Sequence, residues 1–327
     1  MISVVLPVYN GVEFLNDAIQ SVLHQEFAEF EFIIIDDCST DHSIEIIQKY
    51  TSDPRIHFAQ NKENKGLFAT LNKAISIARG SFIKVWAQDD IMMPNCLSVF
   101  LSAQQSQPNH SFIWSQSEEI SSDDDYDSLI RQYSAHKEGL KPELWDLPKV
   151  VRHFLFCGNL HGNISLFGFR KKVWEELNGF DQTLVYSGDI EFTLRAIDMA
   201  SPICIAEKTV WLRGHSGQLS RSVNHLSFEL QETSLVQERL RKKHCSSTNL
   251  TWFAIKCERH IRTPYFVSNA LLVARKTPLQ AIHMLNSISS EYGMIRALIY
   301  WSHSKIRRVL GMQKMVKLTD QSGDFQS

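Results

Sequence analysis

The chain has 327 residues, 43% of them apolar and 21% charged, enough for one large domain with an appendage or for two ordinary domains. Nine prolines and 14 glycines exclude a collagenous or low-complexity chain, and interspersed charge at a mean hydropathy of −0.19 excludes wholesale disorder. The net charge of −2 conceals a division, because residues 1–204 hold 16 Lys and Arg against 28 Asp and Glu whereas 205–318 hold 18 against 6. Such asymmetry points anionic partners toward the C-terminal end.

The first 115 residues alternate short β-rich runs with helical periodicity. Ser3–Pro7 is a continuous apolar run of strand length, and Leu15, Ala18, Ile19, Val22 and Leu23 follow at the spacing of one helix face. Phe30–Ile35 is a second buried run, ended by Asp36 and Asp37, after which Ser39, Thr40 and Asp41 open a helix carrying Ile44 and Ile47. Arg55–Ala59 predicts a third strand. Leu67, Leu71, Ala74, Ile75 and Ala78 predict a third helix stopped at Gly80, and Ser81–Trp86 a fourth strand. A helix over Pro94–Gln105 and a strand over Ser111–Ser115 continue the rhythm. Repeated units of this kind predict a mostly parallel sheet flanked by helices, with ligands bound beyond the carboxyl ends of the strands.

After residue 115 the rhythm breaks. Ser121–Asp127 is an acidic run, read as a solvated loop, and mixed character resumes over 150–220. From about His225 the periodicity is helical, with Leu226, Leu230, Leu235, Ala270, Leu271 and Ala274, and with Pro264 and Pro278 as breaks. Six cysteines without a C-x-x-C pair give neither a zinc knuckle nor a disulfide framework, which fits a reducing compartment. The opening MISVVLPVYN lacks the basic region of a signal peptide, and even the apolar stretch 298–301 is flanked by Arg296 and Lys305, so no membrane span is expected.

Three strand ends release polar residues: Tyr9 with Asn10, Asp36 with Asp37, and Gln88 with Asp89 and Asp90. The first turn has no G-x-G-x-x-G and the chain has no P-loop, which argues against nicotinamide, flavin and P-loop chemistry. The absence of a glycine-rich, lysine-bearing first loop disfavours a nucleotidyltransferase. Asp89 and Asp90 are placed either to hold a divalent cation against a diphosphate or to cap the helix that follows Met93 and Pro94. Asp36 is placed to accept hydrogen bonds from a nucleobase edge, while Asp37 or Asp41 caps the next helix.

The segments VVLPVYNGVEFLNDAIQSVLHQ, EFIIIDDCSTDHS and NKGLFATLNKAISIARGSFIKVWAQDD together resemble the nucleotide-sugar-binding half of the family 2 glycosyltransferases of the GT-A fold, over Ser3 to about Ser220. The resemblance implies an α/β, Rossmann-like domain over 1–220; charge and periodicity predict a basic, mainly helical extension over 221–318, and a disordered tail is expected over 319–327. It implies that Pro7, Val8 and Tyr9 line the base and ribose, that Asp36 binds the base, typically uracil, and that Asn64 and Gly66 shape the donor pocket. Asp89 is implied as the metal-binding acid, with Asp90 beside it. The family's D-x-D-D places an acid at position 87, where this chain has Ala87 and then Gln88.

Gly179, Phe180 and Asp181, then Gly188 and Asp189, then Arg195 resemble the acceptor-side G-F-D, E-D and Arg motif, with Gly188 in place of Glu. Asp189 matches the catalytic base. Trp211–Ser220 resembles the late loop that approaches metal and diphosphate, with His215 as a ligand and Arg213 as a phosphate partner. The implied activity is inverting transfer from a nucleoside-diphosphate sugar, a UDP-sugar, to a hydroxyl of a saccharide or lipid-linked saccharide in cell-envelope polysaccharide synthesis, with Mn²⁺ or Mg²⁺ as cofactor. The alternative is a non-catalytic nucleotide-sugar-binding or regulatory protein of the same fold. The clusters around Arg239 and Lys305 fit either helices packing on the catalytic domain or forming a homodimer, or a peripheral contact with the inner face of the membrane from the cytoplasm; nucleic acid is not an expected partner.

Overall fold

The computed structural model describes residues 1–110, 112–133, 142–146, 149–151, 163–215, 217–218 and six residues between 232 and 239. The chain divides into two compact units, Met1–Phe154 with Asn159–Arg221 and Leu155–Gly158 with Ser222–Ser327; the architecture below is that of the first. The tail over 319–327 and all but six residues of the extension expected over 221–318 lie outside the described residues; those six are helical.

Strands β1 (Ile2–Val8), β2 (Phe30–Asp36), β3 (Ile56–Gln60) and β4 (Phe82–Val85) form a parallel sheet in the order β3-β2-β1-β4. Every residue of β2 is buried, and β1 is buried at all but Pro7, because helices cover both faces; that is why these strands read as unbroken apolar runs. The crossovers are α1 (Leu15–Leu23), α2 (Ser43–Gln48) and α3 (Leu67–Ile77). Helix α1 buries Leu15, Ala18, Ile19 and Val22 as the periodicity predicts, and α3 buries Leu71, Ala74 and Ile75.

At the edge away from the polar strand ends, Glu31 ties β1, β2 and the turn into β4 together. Its carboxylate accepts from Ser3 Oγ at 2.6 Å, Arg79 N at 2.6 Å and Gly80 N at 3.0 Å. Burial alone would raise the Glu31 carboxyl, yet the donors from Ser3, Arg79 and Gly80 together hold it below its ordinary value.

Beyond β4 the elements are β5 (Ile91–Met92), α4 (Cys96–Ser106), β6 (Phe112–Ser121), α5 (Tyr126–Gln132), β7 (Pro142–Leu144), β8 (Phe167–Arg170), α6 (Lys171–Glu176), α7 (Gly188–Ile197) and β9 (Ile203–Gly214). Strand β8 lies antiparallel between β4 and β6, and β9 runs parallel to β6. The short β5 and β7 pair antiparallel with β9. The sheet is thus largely parallel with an antiparallel insertion, and β5, β7, β8 and β9 are additions to the sequence expectation. Strand β6 also runs past Ser115 to Ser121, and Asp125 caps α5 by accepting from Ser128 N at 2.6 Å, so the acidic run is a strand end, a turn and a helix cap rather than one solvated loop.

Gly168 lets β8 approach β4. A Cβ at this position would lie 2.7 Å from the Phe82 ring and 2.9 Å from the Ile83 carbonyl oxygen. Its neighbours Phe167 and Phe169 both stack on Phe112, and Phe169 continues to Phe192 on α7 with ring centroids 4.9 Å apart. No helix among the described residues is long and apolar enough to cross a membrane. Gly168→Ala is expected to lower unfolding stability by about 1–3 kcal/mol in urea titration, because backbone as well as ring atoms must shift; an unchanged midpoint would refute this packing.

Candidate active site

The carboxyl ends of β1, β2 and β4 are stitched together by side chain to backbone bonds. Asn10, with φ of 49°, accepts from Thr40 N at 2.8 Å, while its own N–H donates to Ser39 Oγ at 3.0 Å. Gly11 N donates to Ser43 Oγ at 2.9 Å and Val12 N to Asp41 at 3.1 Å. Asp41 also accepts from Ser43 N, so it serves the start of α2, whereas Asp37 does other work. Between these turns Asp36 is fully buried. Its Oδ2 accepts from Ser39 N at 3.0 Å and Gln60 Nε2 at 3.2 Å, and its Oδ1 has no donor among the described residues. Tyr9, one residue past the Val8 that pairs with Asp36, is 46% exposed at the mouth of β1, while Val8 is buried and Pro7 half-buried.

Asp37 is the anchor of the loop that leads into α3. Its carboxylate accepts from Asn61 Nδ2 at 2.7 Å, Lys65 N at 2.9 Å and Gly66 N at 2.8 Å. Asn64 Oδ1 accepts the same Gly66 N–H at 3.1 Å. Gly66 takes φ of 85° at the head of α3, a left-handed backbone that favours glycine. The Asn64 and Gly66 segment is therefore shaped by Asp37, the acid that follows β2.

The turn after β4 brings Asp89 to His215. Asp89 Oδ2 lies 3.1 Å from His215 Nε2 although the two residues are 126 positions apart, and both side chains remain partly exposed. One carboxylate oxygen and one imidazole nitrogen at this separation fit one edge of the shell of a divalent first-row cation, leaving the other positions for phosphate oxygens and water. Among the described residues, no group of three or more His, Cys, Asp or Glu gathers to hold a metal.

Asp189 lies in the first turn of α7, half-buried, with Oδ1 accepting from Ile190 N at 2.8 Å. Helix α7 reaches the same edge as Gly66, because Gly188 packs directly on Phe68 of α3: a Cβ at position 188 would stand 2.6 Å from that ring. Glu191, two positions on, is buried and engaged by Arg195 in a forked pair of 2.8 and 2.7 Å.

Residues 3–177, more than half of the chain, match the family profile described as Glycosyl transferase family 2. The chain belongs to glycosyl transferase family 2. It is 31% identical over 223 residues to WcaA of Escherichia coli K12, provisionally assigned as a colanic acid biosynthesis glycosyl transferase; the alignment covers 67% of this chain and 74% of that protein. TuaG of Bacillus subtilis, provisionally assigned to teichuronic acid biosynthesis, is 40% identical over 91 residues, 28% of this chain and 36% of its own. Among solved structures, TarS of S. aureus with UDP-GlcNAc superposes with a TM-score of 0.66 at 16% identity, over 95% of this chain and 92% of that one. The mannosyltransferase PcManGT of Pyrobaculum calidifontis, bound to GDP-Man and Mn²⁺, gives 0.56 at 14% identity, over 95% and 88%. These structural likenesses establish a GT-A fold.

Within this family 2 fold, several expected roles shift. Asp90 was expected beside the donor, but it is fully buried: Oδ2 accepts from Ser165 Oγ at 2.6 Å and Oδ1 from Arg213 N at 3.2 Å. It braces the turn. Arg213 is likewise no phosphate partner, since its side chain is 1% exposed and spent on protein oxygens. Arg195, expected on the acceptor side, donates to the carbonyls of Leu177 at 2.7 Å and Gly179 at 2.9 Å, clamping α7 to the G-F-D turn. Gly179 there has φ of 78°, Phe180 is buried against Phe192, and Asp181 accepts from Thr183 N at 3.0 Å.

Sequence reasoning missed the residues that hold the turn. Gln88 clasps the Tyr9 backbone, accepting its N–H at 2.9 Å and donating to its carbonyl at 3.0 Å, and it occupies space that a Cβ on Gly11 would take. Ser165 accepts from Ala87 N at 3.1 Å and meets Asp90. Asn72 holds Phe180 through both backbone groups at 2.9 Å. No spacing rule marks such residues, because each acts across a long sequence separation.

Lys84 and Asp90 are both fully buried, and burial is the main cause that pushes Lys84 down to about 8 and Asp90 up to about 8, the Asp89 charge adding to the latter. Folded Asp90 keeps a proton that the unfolded chain releases near 3.8, so its contribution falls as pH rises toward 8. Folded Lys84 loses near 8 a proton that the unfolded chain keeps to 10.5, so its cost is full below 8 and fades above it. The urea midpoint is therefore expected to pass through a minimum near pH 8, and Asp90→Asn, which preserves shape and both contacts, is expected to flatten the acid side of that curve. A variant curve that parallels the wild type would contradict this assignment.

Proposed function

We propose that this protein transfers a sugar, with inversion, from a nucleoside-diphosphate donor to a hydroxyl of a saccharide or lipid-linked saccharide acceptor. The donor is a UDP-sugar and the pathway builds cell-envelope polysaccharide. The approach of Asp89 to His215 at the carboxyl edge of the sheet carries this reading. Support for the pathway comes from the polysaccharide assignments of WcaA and TuaG, for a nucleoside-diphosphate sugar from the UDP-GlcNAc and GDP-Man bound to TarS and PcManGT, and for UDP from the TarS complex alone.

In this reading Asp36, expected to bind the base, instead stands beneath the base end of the pocket, its buried carboxylate fixing the Ser39 turn and Gln60. Pro7, Val8 and Tyr9 form the wall beside it, and Asn64 and Gly66 the floor of the donor pocket. Asp89 and His215 would hold Mn²⁺ or Mg²⁺, which when bound supplies positive charge to the leaving diphosphate. Asp189 takes the proton of the attacking hydroxyl from the opposite face of the sugar. Gly179, Phe180, Asp181 and Arg195 act by fixing α7, and thereby Asp189, against the acceptor. The domain responsible spans 1–220, and the basic stretch 221–318 serves contact with the membrane face or with a second copy.

Asp189→Asn is expected to lower transfer by about 10²–10⁴-fold while UDP-sugar affinity, measured by calorimetry, stays within about twofold. Turnover near the wild-type rate would remove Asp189 from the base role. Retention of donor binding with no transfer by the wild-type protein would instead favour the non-catalytic alternative.

A further inference from the structure

The buried Arg213 side chain reaches several separate parts of the first unit. Its Nε donates to the Asp89 carbonyl at 3.1 Å, and Nη2 reaches the Asp17 carboxylate of α1 at 3.2 Å. Nη1 donates to the carbonyls of Ser122 at 3.2 Å, Ser121 at 3.4 Å and Asp124. The guanidinium lies over the Phe14 ring at 4.7 Å, and His215 packs on that same ring at 4.6 Å. Its backbone N–H meets Asp90. One planar cation therefore joins the residue before α1, the 121–124 turn and the turn after β4, and it stands two residues from His215 on the same strand end.

We infer that Arg213 is a positioning residue that sets the Asp89 and His215 pair in register for a divalent cation. The inference rests on the proposed reading of that pair as the metal site. Asp89 enters the pair by its carboxylate while its carbonyl is fixed by Nε, and His215 is fixed by Phe14, which Arg213 in turn covers. Ala87 adds urgency to this arrangement: with no acid at that position, the pair must be held by the protein around it. The fork of the guanidinium is what the role requires, because it serves a carbonyl, a carboxylate and a group of loop oxygens at once. A lysine ammonium is a compact charge that cannot reach all three. Removing a residue that orients metal ligands typically costs about 10–100-fold in metal affinity.

The test compares UDP binding to the full-length chain by calorimetry with Mn²⁺ and with EDTA. Arg213→Lys retains the charge, and Phe14→Leu retains Arg213 but removes the shared ring; circular dichroism selects folded protein. In each variant, UDP affinity in EDTA is expected to stay within about twofold of wild type, while the gain on adding Mn²⁺ shrinks by about tenfold or more for Arg213→Lys and by severalfold for Phe14→Leu. A merely structural role would lower both affinities together. An undiminished Mn²⁺ gain in a folded variant overturns the inference, whereas a wild-type protein without any gain from Mn²⁺ overturns the metal reading beneath it.

Discussion

The turn from Ala87 to Asp90 is the constraint on which the rest of the site depends. It leaves β4 and is gripped from three sides: Gln88 on the Tyr9 backbone, Ser165 on Ala87 and Asp90, and Arg213 on Asp89 and Asp90. Each grip reaches a different part of the chain, so the position of Asp89 expresses the packing of β1, β8 and β9 together. The carboxylate that faces outward is exposed because its neighbour faces inward. Buried polar networks of this kind are costly when half satisfied, which ties the order of the turn to the integrity of the sheet.

A second chain of contacts carries order from the donor side toward the acceptor side. It runs from Asp37 just past β2 to Gly66, from there along α3 to Phe68, and across to Gly188 and Asp189. The departure from glutamate at position 188 is thus explained by the room that Phe68 occupies. The departure at 87 is accompanied by the Gln88 clasp, which secures the same turn by an amide. Both departures fit a working site whose supports have been rearranged.

The parallel half of the sheet was legible in the sequence because its strands are buried on both faces and its helices show one apolar stripe each. The positions of Asp36, Asp89 and His215, at strand ends and in one late loop, were legible. The antiparallel β8 was not, since its four residues rely on Gly168 and on aromatic stacking with Phe112 and Phe192, contacts that periodicity does not reveal. Asp90, Arg195 and Arg213 were legible as charges but not as braces. For Asp90 and Arg213 the deciding partners lie 75 to 196 positions away, and for Arg195 they include loop carbonyls 16 and 18 positions back, none of which a local pattern records.

The central claim is that Asp89 and His215 meet to hold a divalent cation at the carboxyl edge of this sheet. Anomalous diffraction from crystals grown with UDP and Mn²⁺ tests it most directly. The claim predicts a manganese peak within bonding distance of an Asp89 carboxylate oxygen and of His215 Nε2, with the diphosphate completing the shell. A peak bound elsewhere, or UDP seated without metal between these two side chains, would contradict it.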